Sequence, residues 1–193
     1  MKLFLDTADV ATVKQFWSTG LIDGLTTNPT LMMKAGQLPD KVYHDLKNLG
    51  IKDISMEVVA DTADGMLSEA RRLISLFGEV VTIKVPCTPE GLLACKELAN
   101  QNIRVNVTLI FSAAQAILAA KAGARYVSPF VGRVDDNSFD GISLIQEIAT
   151  IFEKQFVHET EILSASLRNV KDVSRSFAAG AHICTIPPKV FQA

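Results

Sequence analysis

The stretch VVTIKVPCTPEG, residues 80–91, sets Lys84 between Ile83 and Val85, with no acid within four positions on either side. Lysine is almost never fully buried unless something pairs with it. Burial disfavours the charged form of an amine, and a neutral amine attacks a ketone carbonyl to give a Schiff base. The protonated imine is an electron sink, so the adjacent C–C bond can break. Nearby Arg133 or Arg168 would favour the neutral amine; ionised Asp6 or Glu57 would oppose it. Proton transfer in such a reaction needs a carboxylic acid and a positioned water. Asp6, Glu57 and Thr108 are of the right type. Other chemistries are poorly supplied. His44, His158 and His182 are far apart and lack ligand spacing such as HxxxH, so no metal site is expected. No P-loop and no nucleophilic Ser–His pairing competes.

These groups are spread over the chain, so regular elements must gather them. A strand-then-helix rhythm runs throughout. KLFLD reads as a strand and VATVKQFWS as an amphipathic helix closed by Gly20. DGLTTN is the second strand; Pro29 to Leu49 is helical, broken around Gly36 and Pro39. DISMEV is the third strand, followed by a helix from Ala63 to Phe77 that Gly78 ends. VVTIKV is the fourth, and Thr88 and Pro89 are a fitting N-cap and first helical residue for the next helix. RVNVTLIF is the fifth, with Ser112 capping AAQAILAAKAG. ARYVSPF, TEILSAS and AHICTI are the sixth to eighth, with helices expected from about Gly141 to Phe156 and over NVKDVSRSFAAG. After AHICTI the sequence ends in PPKVFQA, so the helix expected after the eighth strand is missing. Strands alternating with helices pair in parallel through crossovers, and eight such units predict an α/β fold, one (β/α)8 TIM barrel over residues 1–193. An open doubly wound sheet is the alternative, but its usual GxGxxG turn after the first strand does not occur.

The whole-chain properties agree. With 193 residues, 48% of them apolar, the chain can bury a large core. A net charge of −2 with mixed signs gives no basic stripe for nucleic acid. No apolar run approaches the roughly 18 residues of a membrane span. The opening MKLFLDTAD turns acidic at its sixth residue, unlike a signal peptide. Cys87, Cys95 and Cys184 are odd in number and show no CxxC spacing, as expected of reduced thiols in a cytosolic protein.

In a (β/α)8 barrel the chemistry sits at the C-terminal ends of the strands. Seven strands put polar groups there: Asp6, then Thr26, Thr27 and Asn28, then Glu57, Lys84, Asn106 with Thr108, Ser128 with Phe130 on its face, and Ser166 with Arg168 just beyond. Side chains alternate faces along a strand, so Thr82 and Lys84 point one way, and Asn106 and Thr108 likewise. If Ile83 and Val85 face the helices, Lys84 faces the interior. Each residue also has a plainer reading. A strand lysine can guard a sheet edge, but a closed barrel has no edge. Asp6 and Asn28 can cap helices, Thr108 can be an ordinary strand former, and Glu57, Arg133 and Arg168 can be solvated charges. Their concurrence at one end favours a site, because an apolar interior tolerates polar groups only when they are hydrogen-bonded.

FLDTAD, GLTTNPTL, the EV at Glu57, IKVPCTPEGL, NVTLIFS, SPFVGR, SASLRN and the late PPKV together resemble the transaldolase family in its small form, close to fructose-6-phosphate aldolase. The resemblance covers essentially the whole chain, in order. It implies that Lys84 forms the Schiff base, that Asp6 exchanges a proton with the hydroxyl beside the breaking bond, and that Glu57 and Thr108 hold the catalytic water. It implies that Thr26, Asn28, Asn106 and Ser166 bind substrate hydroxyls or the dihydroxyacetone unit, that Ser128 lines that pocket, and that Arg133 and Arg168 clamp a sugar phosphate. Aldolase members are similar but typically carry Gln in place of Glu57 and Tyr in place of Phe130, so these two positions look like transaldolase. The resemblance further implies a cytoplasmic, cofactor-independent enzyme of the pentose phosphate pathway. Its partners would be sugar phosphates, not nucleic acid or membrane, and it would assemble as a ring-shaped homo-oligomer, a decamer for example. Small family members continue past PPKV into a helix that helps build those rings. The alternatives are a fructose-6-phosphate aldolase and, in another class, a non-catalytic barrel that binds sugar phosphates.

Overall fold

Helix starts are written locally. Asp9, Asn28, Thr62, Thr88, Ser112, Asp140 and Asn169 each stand at a helix N-cap and accept from a backbone N–H of the first turn. Such a cap contributes about 1 kcal/mol. The computed structural model describes residues 1–193. Its strands are β1 (Lys2–Asp6), β2 (Gly24–Thr26), β3 (Ile54–Glu57), β4 (Val81–Pro86), β5 (Val105–Ile110), β6 (Tyr126–Pro129), β7 (Glu161–Ser164) and β8 (Ile183–Ile186). They close in sequence order into one parallel barrel, β8 pairing back to β1. The helices are α1 (Val10–Trp17), α2 (Pro29–Ala35), α3 (Pro39–Asn48), α4 (Ala63–Phe77), α5 (Pro89–Asn100), α6 (Ala113–Lys121), α7 (Val131–Asp135), α8 (Gly141–Lys154), α9 (Val170–Ala178) and α10 (Pro188–Phe191). The fold is therefore the (β/α)8 TIM barrel that the alternation predicts. No helix is long and apolar enough to cross a membrane.

Three local features depart from the sequence reading. The sixth strand stops at Pro129 and α7 follows almost at once. Five residues are under two turns and carry no helical period, and Gly132 lowers the propensity further. Long-range bonds fix this turn: Val131 N–H donates to the Ala165 carbonyl at 3.0 Å and Gly132 N–H to the Ser166 carbonyl at 3.2 Å. A Cβ on Gly132 would lie 2.3 Å from that Ser166 oxygen, so only glycine allows the approach. The one-turn helix α10 follows β8, where no element is expected. Asp6 caps nothing, since Asp9 fills that role for α1.

Apolar burial is split unequally. A cluster of 46 buried residues fills the space between barrel and helices, and it contains Ile83, Val85, Met56 and Val107. Only Phe4, Tyr126, Leu163, Ala165 and Ile183 form an apolar plug inside the barrel. Phe4 meets Tyr126 edge-on, with centroids 6.1 Å apart. Below the plug, buried Asp53 accepts from Thr82 at 2.8 Å, Tyr126 at 2.7 Å and Arg104 at 3.2 Å. Beside it Glu161 pairs with Lys2 at 2.8 Å and Arg125 at 2.7 Å. The upper interior, at the C-terminal strand ends, is left for polar side chains.

Candidate active site

The alternation that sends Ile83 and Val85 into the outer core turns Lys84 inward. Glu57 and Asn106 are its cross-strand partners on β3 and β5. Lys84 Nζ lies 2.8 Å from Glu57 Oε2 and donates to the Thr27 carbonyl at 3.0 Å; its side chain is only 7% exposed. An ammonium has three donors, so one remains for the cavity in front of it. Burial thus comes with pairing, which a lone strand lysine does not predict. The Thr27 segment is itself braced: Thr27 Oγ1 meets the Tyr43 hydroxyl at 3.0 Å, and burial pushes that phenol up to about 12.

Asp6, Thr26, Asn28, Lys84, Asn106, Thr108, Ser128, Phe130 and Ser166 share the wall of one cavity of about 130 Å³. Nine of the residues predicted from sequence are thus brought together from six strands and the loops that follow them. Asp6 accepts from Thr26 Oγ1 at 2.8 Å. Its carboxyl is held above the usual range chiefly by desolvation; the Thr26 bond and Lys84 pull it down, and Glu57 pushes it up. Asn106 is wholly buried, accepting from Ser128 Oγ at 2.6 Å and donating to Ser55 Oγ at 3.2 Å, so its amide is oriented. Asn28 carries both readings: Oδ1 caps α2 through Leu31 N at 2.9 Å, while the residue also borders the cavity.

Thr108 differs from all the rest. Its hydroxyl is the one buried side-chain polar atom without a hydrogen-bond partner within the protein. Buried polar groups are nearly always satisfied, so an orphan facing a cavity marks where a water or substrate hydroxyl belongs. A bulge helps to aim it. The β5–β6 register shifts between Val107 and Ile110, and Leu109 sits at φ 61. Ser166, at φ 60, is a second non-glycine residue in this costly region. Phe130 stands at the rim, edge-on to Phe111 with centroids 5.9 Å apart.

Above the cavity a wider basin of about 460 Å³ includes Glu57, Lys84, Thr108, Phe130 and Arg133 in its wall. Lys34, from α2, lies in the same wall, and neither it nor Arg133 makes an ion pair. Arg168 is not brought in. It forms a two-pronged ion pair with Asp136 just past α7, at the surface, and borders neither cavity nor basin. Sequence reasoning passed over three groups. Thr185 is buried on β8 and borders the cavity; the rule of polar strand ends, extended to the eighth strand, picks it out. Ser55 would follow from strand parity once Glu57 is turned inward. Lys34 has no sequence signal, because its place depends on how α2 lies across the mouth. Cys87 is half-buried, and burial pushes its thiol up, as in a packing residue.

The arrangement can therefore hold an amine, two carboxyls and an unsatisfied hydroxyl around a small polar cavity, with free cations at its entrance. Comparison with known proteins agrees. The transaldolase/fructose-6-phosphate aldolase family model matches residues 3–193. A probable transaldolase of Caulobacter vibrioides (strain NA1000 / CB15N) is 48% identical over 191 residues, 99% of this chain and 87% of that one. One of Nitrosopumilus maritimus (strain SCM1) is 49% identical, over 98% of this chain and 85% of its own. One of Aquifex aeolicus (strain VF5) is 50% identical over 192 residues, covering 100% and 88%. With a match across nearly its full length and relatives half identical to it, the chain belongs to the transaldolase/fructose-6-phosphate aldolase family.

Proposed function

We propose that the chain is a transaldolase that moves a dihydroxyacetone unit from a ketose phosphate, sedoheptulose 7-phosphate or fructose 6-phosphate, to an aldose phosphate, glyceraldehyde 3-phosphate or erythrose 4-phosphate. The reading places it in the pentose phosphate pathway, in the cytoplasm, without a cofactor, as a homo-oligomer. The observation that carries the mechanism is Lys84 Nζ inside the barrel, 2.8 Å from the Glu57 carboxylate, in the wall of the same cavity as Thr108, whose hydroxyl has no partner within the protein.

Glu57 takes a proton from Lys84, and the neutral amine adds to the ketose C2 carbonyl. Glu57 returns that proton to the C2 oxygen, then takes a second proton from the carbinolamine nitrogen and passes it to the same oxygen, which leaves as water held by Thr108 as the iminium forms. The iminium then draws electrons from the C3–C4 bond as Asp6 accepts the C4 hydroxyl proton. The aldose leaves and an enamine remains. A second aldose reverses the step: the enamine carbon attacks its aldehyde, and Asp6 protonates the new alkoxide. Burial raises Asp6, which brings its two protonation states closer in energy at working pH, as a group that takes and returns one proton requires. Thr26, Asn28, Asn106, Ser128 and Ser166 surround the dihydroxyacetone unit. Arg133 holds the phosphate by its guanidinium fork, with Lys34 as the second cation. Arg168 contributes only after leaving Asp136.

Phe130 favours transfer over hydrolysis. It offers no hydroxyl to position water at the imine, whereas a tyrosine there would. Incubation with fructose 6-phosphate and borohydride should add one reduced dihydroxyacetone unit to the peptide containing Lys84, and Lys84→Met should abolish it. A protein that binds the sugar but gains no mass would point to the non-catalytic barrel. Free dihydroxyacetone released equally with and without erythrose 4-phosphate would point to the aldolase.

A further inference from the structure

Three adjacent strands meet in one hydroxyl row beside the cavity. Thr26 Oγ1 lies 2.8 Å from Asp6 Oδ1 and 2.6 Å from Thr185 Oγ1. Asp6 pairs with Thr26 across β1 and β2, and Phe4 with Thr185 across β1 and β8, so the three groups lie close together along the wall. Both threonines are buried. A hydroxyl has one proton and two lone pairs. When Asp6 is ionised, the Thr26 proton goes to Asp6, so Thr26 cannot also donate to Thr185. Thr185 must then be the donor, and the row runs Thr185 to Thr26 to Asp6 Oδ1. Asp6 Oδ2 carries no protein hydrogen bond and is not a buried orphan, so it faces the cavity.

We propose that Thr185 is a positioning residue for Asp6: by donating to Thr26 it commits the single Thr26 proton to Oδ1 and leaves Oδ2 directed at the reacting sugar. This rests on the reading of Asp6 as the proton-exchanging carboxyl. A chain of hydroxyls polarises along its length, so the second donor strengthens the first bond to the carboxylate. The row thereby opposes the desolvation that favours neutral Asp6. The charged groups facing Asp6 are Lys84 on β4 and Glu57 on β3; β2 and β8 contribute only Thr26 and Thr185 at this level. Arg133 stands farther out, in the basin.

The test is single-turnover release of the aldose from the Lys84 adduct, measured across pH for the unaltered protein, Thr185→Val and Thr185→Ser. Thr185→Val keeps the shape and removes the donor. Its acid limb should move up by about 0.5 pH unit, a roughly threefold loss of rate on that limb, with KM nearly unchanged. Thr185→Ser should restore the limb. A limb that stays in place in Thr185→Val, a loss equal at every pH, or a Ser variant as impaired as Val would each overturn the proposal. If Thr185→Val does not fold, Thr185→Cys, of similar volume but a weaker donor, replaces it with the same outcomes. An unaltered protein that forms no Lys84 adduct would instead remove the Schiff-base reading on which this one stands.

Discussion

Replacing Thr108 by valine should stabilise the free protein and cripple the reaction. The two side chains have nearly the same shape, and valine is a good strand former. What changes is one hydroxyl, buried and without a partner within the protein. Leaving such a group unsatisfied costs about 1–3 kcal/mol. Taking about 2 kcal/mol for Thr108→Val, the melting temperature of a chain of this length rises by roughly 4–8 °C. Turnover should meanwhile fall by about 10²-fold, the scale of a lost contribution to proton transfer. Calorimetry without substrate gives the first number, and coupled transfer kinetics with fructose 6-phosphate and erythrose 4-phosphate give the second. A lower melting temperature would mean that the hydroxyl is already satisfied in the free protein. Unchanged turnover would mean that it serves no water. Either result breaks the inference from an orphan donor to a catalytic position; both together would remove Thr108 from the site.

Burial raises Asp6 in the folded state above its unfolded value, so the folded protein holds that proton to higher pH and loses stability as pH climbs through the interval between the two. Asp6→Asn removes this slope: its melting-temperature advantage should be largest at neutral pH and shrink on acidification, while C–C cleavage falls about 10²-fold; an advantage that grows in acid would reverse the assignment. Phe130→Tyr should raise the ratio of dihydroxyacetone release to transfer several-fold in product analysis, and an unchanged ratio would show that this ring does not control access of water. Arg133→Ala should raise KM for fructose 6-phosphate by roughly 10- to 150-fold, the range of a charge-assisted contact worth about 1.5–3 kcal/mol, with little change for unphosphorylated dihydroxyacetone donors; Lys34→Ala should do the same more weakly, and Arg168→Ala least.

Much of the scaffold is legible because its determinants are local. Thr88 and Ser112 cap the helices assigned to them, Gly78 ends α4, and Gly36 and Pro39 divide α2 from α3. Strand parity orients Lys84, Asn106 and Thr108, since one face of each strand must bury against helices. The features that escape sequence depend on contacts distant in the chain. Arg168 reads as a cation near the site, yet Asp136, 32 residues away, captures it. The short helix α7 exists because Ala165 and Ser166, just past β7, supply the carbonyl partners of its first two N–H groups. The bulge at Leu109 has no sequence mark, because leucine does not favour positive φ; the β5–β6 mismatch imposes it.

Polar residues inside the barrel do not by themselves locate the chemistry, for the floor is as charged as the mouth. What separates the two ends is saturation. Below the apolar plug, Asp53 receives three donors and Glu161 two cations. Above it, one donor of Lys84, one oxygen of Asp6 and the hydroxyl of Thr108 have no protein partner. A closed network pins the strands in register; an open one must be completed by something that enters. Had the floor held the orphans, the same residue types would argue for a site at the N-terminal ends of the strands. The unfilled valences, rather than the presence of lysine and carboxylates, are what favour placing the proposed reaction at the end where Arg133 and Lys34 stand.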